Sequence, residues 1–278
     1  MFPFIAALSQ AAGIIVDKII LTRRRMEIHV FIPVLFLFLF LVTAILMPFL
    51  GSINFDFFKP YYLLIFGGMI TSALIWNVFY YKGVQVEKVQ NFQLIILLQP
   101  LLTIILAAFL LEKTINLNVL IASIIASVAL IFSQIEKKHL EINRSEWGII
   151  LAVIFISIEI ILQKIMLEVF SPAALYFVRT GIIFLFFIFY YHPRFSQVSN
   201  INTGLILLTS FLGVTQMVTK FYGFQEFGVI YTSLVLILSP ILVYIISIIG
   251  LHERLKARII VSALVILLCI IYVTVLGK

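Results

Sequence analysis

About ten apolar runs, each near the length that crosses a bilayer, follow one another along this chain with little polar sequence between them. A helix needs about 20 apolar residues to span ~30 Å of hydrocarbon. The runs lie at 2–21, 28–50, 61–81, 89–111, 117–134, 147–167, 172–191, 203–224, 229–250 and 259–276. No water satisfies backbone groups in that medium, so a spanning segment is a helix or part of a closed barrel. Strict apolar/polar alternation is absent, and the expectation is ten helices. The mean hydropathy of +1.22 and the 63% apolar content agree, lying well above the values of a soluble domain. The connections are too short for a soluble domain, so the chemistry belongs inside the membrane. The first run carries Asp17 and Lys18 and lacks a basic start and a small-residue cleavage site, which predicts a retained helix. Cys269 is the single cysteine, so neither an internal disulfide nor a thiolate metal cluster is expected, and no cofactor is called for.

Charge is distributed unevenly. Loops after odd-numbered runs carry Arg23, Arg24, Arg25, Lys82, Lys88, Lys137, Lys138, Arg144, Arg194, Arg254, Lys256 and Arg258, whereas the opposite face carries Lys59, Lys113 and Lys278. The positive-inside rule puts the basic face in the cytoplasm and both termini outside. These residues sit in short juxtamembrane loops, which reads as a topology signal and not as a nucleic-acid surface.

The polar segment 136–146 separates a first five-run unit (1–135) from a second (147–278). Gly83 precedes Pro100 by the same interval that separates Gly223 from Pro240, within Tyr81-Lys-Gly-Val-Gln85 and Phe221-Tyr-Gly-Phe-Gln225 contexts. An acid closes the apolar run after each proline, Glu112 in one half and Glu253 in the other. Asp17-Lys18 and Gln163-Lys164 form a looser pair near the ends of runs one and six. Five is odd, so the second unit enters from the opposite side and the repeats are inverted. That arrangement suits alternating access.

On these residues the chain resembles the EamA-type transporters of the drug/metabolite transporter superfamily, over nearly its whole length. The resemblance implies a ten-helix carrier that moves small metabolites, often outward, without ATP hydrolysis. Arg179, after Ser171-Pro172, matches a position where such proteins often carry arginine. The glycine pattern common in their fifth and tenth helices is replaced here by Ala122, Ser123, Ala126 and Ser127. The family usually keeps its termini cytoplasmic, against the loop charges, so orientation stays open.

Ionisable residues within the runs are few: Asp17, Lys18, Glu159, Lys164, Arg179 and Lys220. A charge at the bilayer centre costs ~3 kcal/mol or more, so each is a candidate functional group. Glu159 and Arg179 fall at similar depth, ~10–12 Å below one face on adjacent helices, and can pair. Such a pair either locks two helices together or provides a proton-coupling acid (Glu159) and an anchor for a substrate anion (Arg179). Lys164 and Lys220 lie shallower and can snorkel to the headgroups. Lys220 nevertheless continues a stripe of Thr209, Gly213, Gln216 and Gly223 along one helix face, which predicts a cavity lining. Gln10, Gly13 and Asp17 share a face of run one, Glu159 and Gln163 a face of run six, and Gln99 and Thr103 flank Pro100. Small polar faces also glue helices together. The candidate substrate-binding set is Glu159, Arg179, Gln216, Lys220, Lys164, Gln10, Asp17, Asn77 and Gln99. Trp76, Tyr80, Tyr176 and Tyr222 are placed to meet a solute, while most of the phenylalanines read as lipid-facing bulk. Glu112 and Glu253 read as helix-end caps or loop salt bridges.

The lining is net positive, which favours an anionic or zwitterionic solute, such as an amino acid or organic acid, over a quaternary cation. No His-Glu-x-x-His, Gly-x-Ser-x-Gly or P-loop motif occurs, so neither an enzyme nor an ATP-driven pump is expected. No Gly-rich filter suggests a channel. The sequence therefore predicts a secondary active transporter working by alternating access, as a monomer or homodimer in a prokaryotic plasma (inner) membrane, with a small solute and the bilayer as its partners. A flippase for a lipid-linked substrate on the same fold is the alternative, with an intramembrane enzyme behind it.

Overall fold

The computed structural model describes residues 1–86, 95–111, 116–134, 144–193, 199–243 and 257–276. They form ten α-helices: α1 (Phe2–Lys18), α2 (Ile28–Leu50), α3 (Pro60–Val86), α4 (Leu98–Leu110), α5 (Leu117–Gln134), α6 (Arg144–Met166), α7 (Pro172–Tyr191), α8 (Asn200–Glu226), α9 (Gly228–Leu236) and α10 (Ala257–Leu276). Six apolar helices are long enough to cross a membrane, and four more, corresponding to α4, α5, α9 and α10, are apolar but shorter over their described parts. Among the described residues the β-structure is one isolated antiparallel bridge, Ile53 to Phe170. Lys88, Glu112, Lys113, Lys137, Lys138, Arg194, Glu253, Arg254, Lys256 and Lys278 lie outside the described residues.

Local chemistry sets the helix ends. Pro3, Pro60 and Pro172 stand in first turns, where a missing N–H costs nothing. Ser171 and Ser199 cap α7 and α8 by accepting from Ala174 N and Asn202 N. A five-residue π-turn, Ile19–Arg23, extends α1. At the corner from α8 to α9 a single residue, Phe227, separates the helices, and Gly228 takes a φ of 80° that side-chain-bearing residues avoid.

The inverted duplication is visible in which helices touch. Exchanging the halves, so that α1 becomes α6 and α3 becomes α8, maps the α1–α8 seam onto α6–α3 and α1–α9 onto α6–α4. The pairs α2–α7, α4–α9 and α5–α10 map onto themselves and hold the halves together. Sequence follows the same correspondence: Gly13-Ile-Ile-Val-Asp-Lys-Ile-Ile-Leu21 in α1 and its π-turn aligns with Glu159-Ile-Ile-Leu-Gln-Lys-Ile-Met-Leu167 in and after α6. Lipid offers no hydrophobic drive to associate, so close packing holds the seams. Gly13 sits against Thr209 and Leu212, Gly68 against Leu162, and Gly181 so close to Phe40 that a Cβ would lie 2.9 Å from its ring.

One end of the bundle is tied shut between the halves. Ser171 N donates to Ser52 O (3.0 Å), Ser52 N to Ser171 Oγ (2.9 Å), Ser171 Oγ to Leu50 O (2.8 Å) and Asn54 N to Val169 O (2.8 Å). Tyr62 OH reaches Glu168 nearby at 2.9 Å. Phe57, Phe66 and Phe170 pack edge and face against one another beneath this clasp.

Candidate functional site

The turn 167–171 between α6 and α7 belongs to that clasp, and about two turns below it the same two helices present Glu159 and Arg179. The side chains meet: Arg179 Nε donates to Glu159 Oε1 at 2.5 Å. Gln163, one turn on from Glu159, donates its Nε2 to the same oxygen at 2.8 Å. The Trp76 indole N–H, from α3, donates to Oε2. Side chains lean toward the N-terminus of their own helix, and α3 and α6 run antiparallel, so the indole and carboxylate reach toward each other across several residues of offset. Glu159, Gln163 and Arg179 are each under 4% exposed. Tyr176 lies under the guanidinium, its ring centroid 5.9 Å from Arg179 Cζ, and Tyr80 packs edge-on against Trp76.

Lys220 completes the centre from α8. It is 6% exposed, and Nζ stands 5.6 and 5.5 Å from the ring centroids of Phe221 and Phe224. It feels the charges of Glu159 and Arg179, yet among the described residues its ammonium donates no hydrogen bond. One carboxylate thus serves two buried cations, and Arg179 already holds it. The centre also keeps an unused acceptor, the buried Oε1 of Gln163. No group of three or more His, Cys, Asp or Glu side chains among the described residues is arranged to hold a metal.

The sequence profile of the EamA-like transporter family matches residues 1–134 and again 143–275. The chain belongs to the EamA-like transporter family. It is a multi-pass integral membrane transporter of the drug/metabolite transporter superfamily, whose two family repeats are the two halves related above. No curated protein sequence matches it. A solved structure titled only as the crystal structure of a protein is similar over 99% of this chain and 96% of its own, with a TM-score of 0.75 and 11% identity, a likeness of fold.

The remaining candidates of this EamA-like protein are dispersed. Asp17 accepts from Thr209 Oγ1 at 2.7 Å on the α1–α8 seam, nearer the end opposite the clasp. Gln10 lies on the same face of α1 with a buried Oε1 that has no partner among the described residues, and Gln216 on α8 is half-buried. Asn77 is fully buried beside Trp76, its Nδ2 turned back to Ala73 O at 2.7 Å and its Oδ1 unpartnered. Gln99 bonds to Thr103, which in turn reaches Ser157, in a separate polar chain on the α4–α6 seam. Lys164 donates to Phe224 O at 2.7 Å, satisfying a last-turn carbonyl of α8. The Thr209 to Gly223 stripe faces protein as its spacing predicts, but as a packed seam: Leu39 abuts Gly213, and Thr232 and Pro3 abut Gly223. The phenylalanines divide between lipid and core, and Phe31, Phe187, Phe221 and Phe224 are fully buried. The two rings flanking Lys220 carried no sequence signal that separates them from lipid-facing ones.

Two cavities border the bundle elsewhere. One of about 420 Å³ lies between α5 and α10, lined by Ile121, Ala122, Ile125, Leu268 and Tyr272. Another of about 240 Å³ lies between α4 and α6, lined by Leu98, Leu102 and Ile154. Both are mostly apolar, and neither is lined by a residue of the polar centre.

Proposed function

We propose that this transporter is a secondary carrier for small solutes bearing a carboxylate or comparable anionic group, whether organic acids or zwitterionic amino acids. The solute's anionic group is held at the Glu159–Arg179–Lys220 centre, and the inverted halves exchange roles to open it to either side. The observation that carries the reading is the charge imbalance. Glu159 accepts from three donors, whereas Lys220 faces two aromatic rings and, among the described residues, donates no hydrogen bond. A buried cation with no acceptor is costly, and a carboxylate or similar anion supplies what it lacks. The open acceptor on Gln163 offers a place for a second, donor group of the solute.

Uptake by proteoliposomes of a radiolabelled panel of amino acids, organic acids and organic cations tests this reading. The expected result is accumulation of an acid or zwitterion that falls at least tenfold in both Lys220→Met and Arg179→Ala. Selective uptake of cations, or acid uptake indifferent to both changes, refutes it. Passage of a fluorescent lipid headgroup with no soluble solute crossing would replace it with the flippase reading.

A further inference from the structure

We infer that the solute is a hydroxy acid: its carboxylate lies against the Lys220 ammonium, and a neutral hydroxyl near that carboxylate donates to Gln163 Oε1. Gln163 is then the residue that sets specificity. This rests on the anion-carrier reading above and narrows it from acids and zwitterions at large to one class.

Gln163 is fixed in position and in orientation. It is 1% exposed, and its Nε2 donates to Glu159 Oε1 at 2.8 Å. The reversed amide would set its oxygen against that carboxylate oxygen, two acceptors facing each other, so the nitrogen keeps the inner place and Oε1 the outer one. Gln10 and Asn77 also bury an amide oxygen without a partner among the described residues, but of these three side chains only Gln163 is bonded to a member of the charged centre.

The open acceptor stands in the same layer of the bundle as Lys220. Lys164, the next residue on α6, reaches Phe224 O at 2.7 Å, and the Phe224 ring centroid lies 5.5 Å from Lys220 Nζ. The last turns of α6 and α8 therefore pass each other at this level, one carrying an acceptor without a donor and the other an ammonium without an acceptor.

A ligand with the opposite pair of groups satisfies both. Its acceptor is the carboxylate, and its donor is an O–H or an N–H. Charge decides between these two. Glu159 is engaged by Arg179, so the centre carries one net positive charge, which a monoanion cancels. The ammonium of a zwitterion would bring a third cation to a single acid. The aromatic faces that could shelter it are taken, since Tyr176 lies under Arg179 and Phe221 and Phe224 flank Lys220. Other carboxylates are engaged elsewhere. Asp17 accepts from Thr209, eleven residues before Lys220 on α8 and thus about 16 Å along the helix. Glu168 accepts from Tyr62 beside the clasp and lies near Lys164. A hydroxyl satisfies Gln163 and adds no charge.

The test uses the full-length Trp147→Phe protein in nanodiscs, which leaves Trp76, whose N–H donates to Glu159, as the single tryptophan. Trp147 is exposed and stands near the start of α6, away from the centre. Trp76 emission is titrated at neutral pH with propanoate, 2-hydroxypropanoate, 3-hydroxypropanoate and L-alanine, and the rise in melting temperature with each acid gives a second readout. The expected result is that one of the hydroxy acids binds about 10- to 100-fold more tightly than propanoate or alanine. In Gln163→Leu and Gln163→Met that advantage over propanoate falls below about threefold. A change that merely loosened the centre would weaken all four acids together and keep their ratio. Propanoate binding as tightly as both hydroxy acids, alanine binding more tightly than either, or an advantage that survives both variants overturns the inference and leaves the anion-carrier reading standing. If neither these acids nor those of the wider panel above bind or enter proteoliposomes, the anion-carrier reading itself fails and the inference falls with it.

Discussion

Replacing Arg179 by Met keeps the length and volume of the buried stem but strands the Glu159 carboxylate. Breaking a buried pair by removing one partner costs about 3–5 kcal/mol. The loss here falls at the lower end, about 3 kcal/mol, because Gln163 and Trp76 still donate to the carboxylate. The Lys220 side chain, already under the influence of Glu159, can swing toward the vacated place. The double change Glu159→Gln/Arg179→Met removes both charges. Trp76 keeps an acceptor, and Gln163, whose Oε1 has no partner, can turn its amide to accept from the new NH2 group. The double variant should therefore lose only about 1 kcal/mol, giving a coupling between the two positions of several kcal/mol. Thermal unfolding in detergent reads this as a drop of about 6–12 °C for the single change and about 2–4 °C for the double. Equal losses from the two, or a double loss equal to the sum of the separate single changes, would refute the reasoning that the carboxylate is satisfied mainly through Arg179.

Four further perturbations follow from the packing. Ser171→Ala removes a cap and the hydroxyl that joins Leu50 and Ser52, so it should cost about 1–2 kcal/mol and lower the melting temperature by several degrees. Gly223→Ala drives a Cβ to 3.0 Å from Thr232 and 3.1 Å from Pro3, with an expected loss of about 1–3 kcal/mol. Gly67→Ala and Gly204→Ala meet open space within helices and should leave stability unchanged or raise it by about 0.5–1 kcal/mol, measured in the same assay. Lys164→Met strands the Phe224 carbonyl and should cost about 1–2 kcal/mol, which denaturant titration of the purified protein checks.

Hydropathy alone located the helices, because hydrocarbon permits so few alternatives. The runs read at 28–50 and 172–191 coincide with α2 and α7. The depth argument that set Glu159 level with Arg179 leads to a formed pair because two adjacent helices joined by a five-residue turn leave little freedom of register. Partner choice was not legible. Lys164 and Lys220 look alike on a hydropathy profile, yet one ends on a carbonyl and the other between two rings, since that depends on rotation about the helix axis and on the facing helix. The Ser52–Ser171 clasp was invisible for a different reason: it joins residues 119 apart through backbone groups and one serine hydroxyl, none of which marks a distant partner.

The repeat explains the scaffold, and its violations explain the site. In the correspondence that aligns Gly83 with Gly223, Trp76 matches Gln216 and Tyr80 matches Lys220. In the one that aligns Asp17 with Gln163, Gly13 matches Glu159. Where the second half places an acid and an amine, the first places a glycine and a phenol. Two identical halves would open to either side at equal cost. Here the charged members sit toward the clasped end, so under the proposed alternating access the two open forms would differ in how much charge each exposes to water and how much it buries. On the proposed function, an anion arriving at Lys220 would cancel part of that difference, and a ligand shifts such an equilibrium only by its differential interaction with the two forms. For a carrier built this way, occupancy of the centre and the direction in which it opens are linked by the same charges. On that proposal, the asymmetry that broke the repeat is what would let the solute drive it.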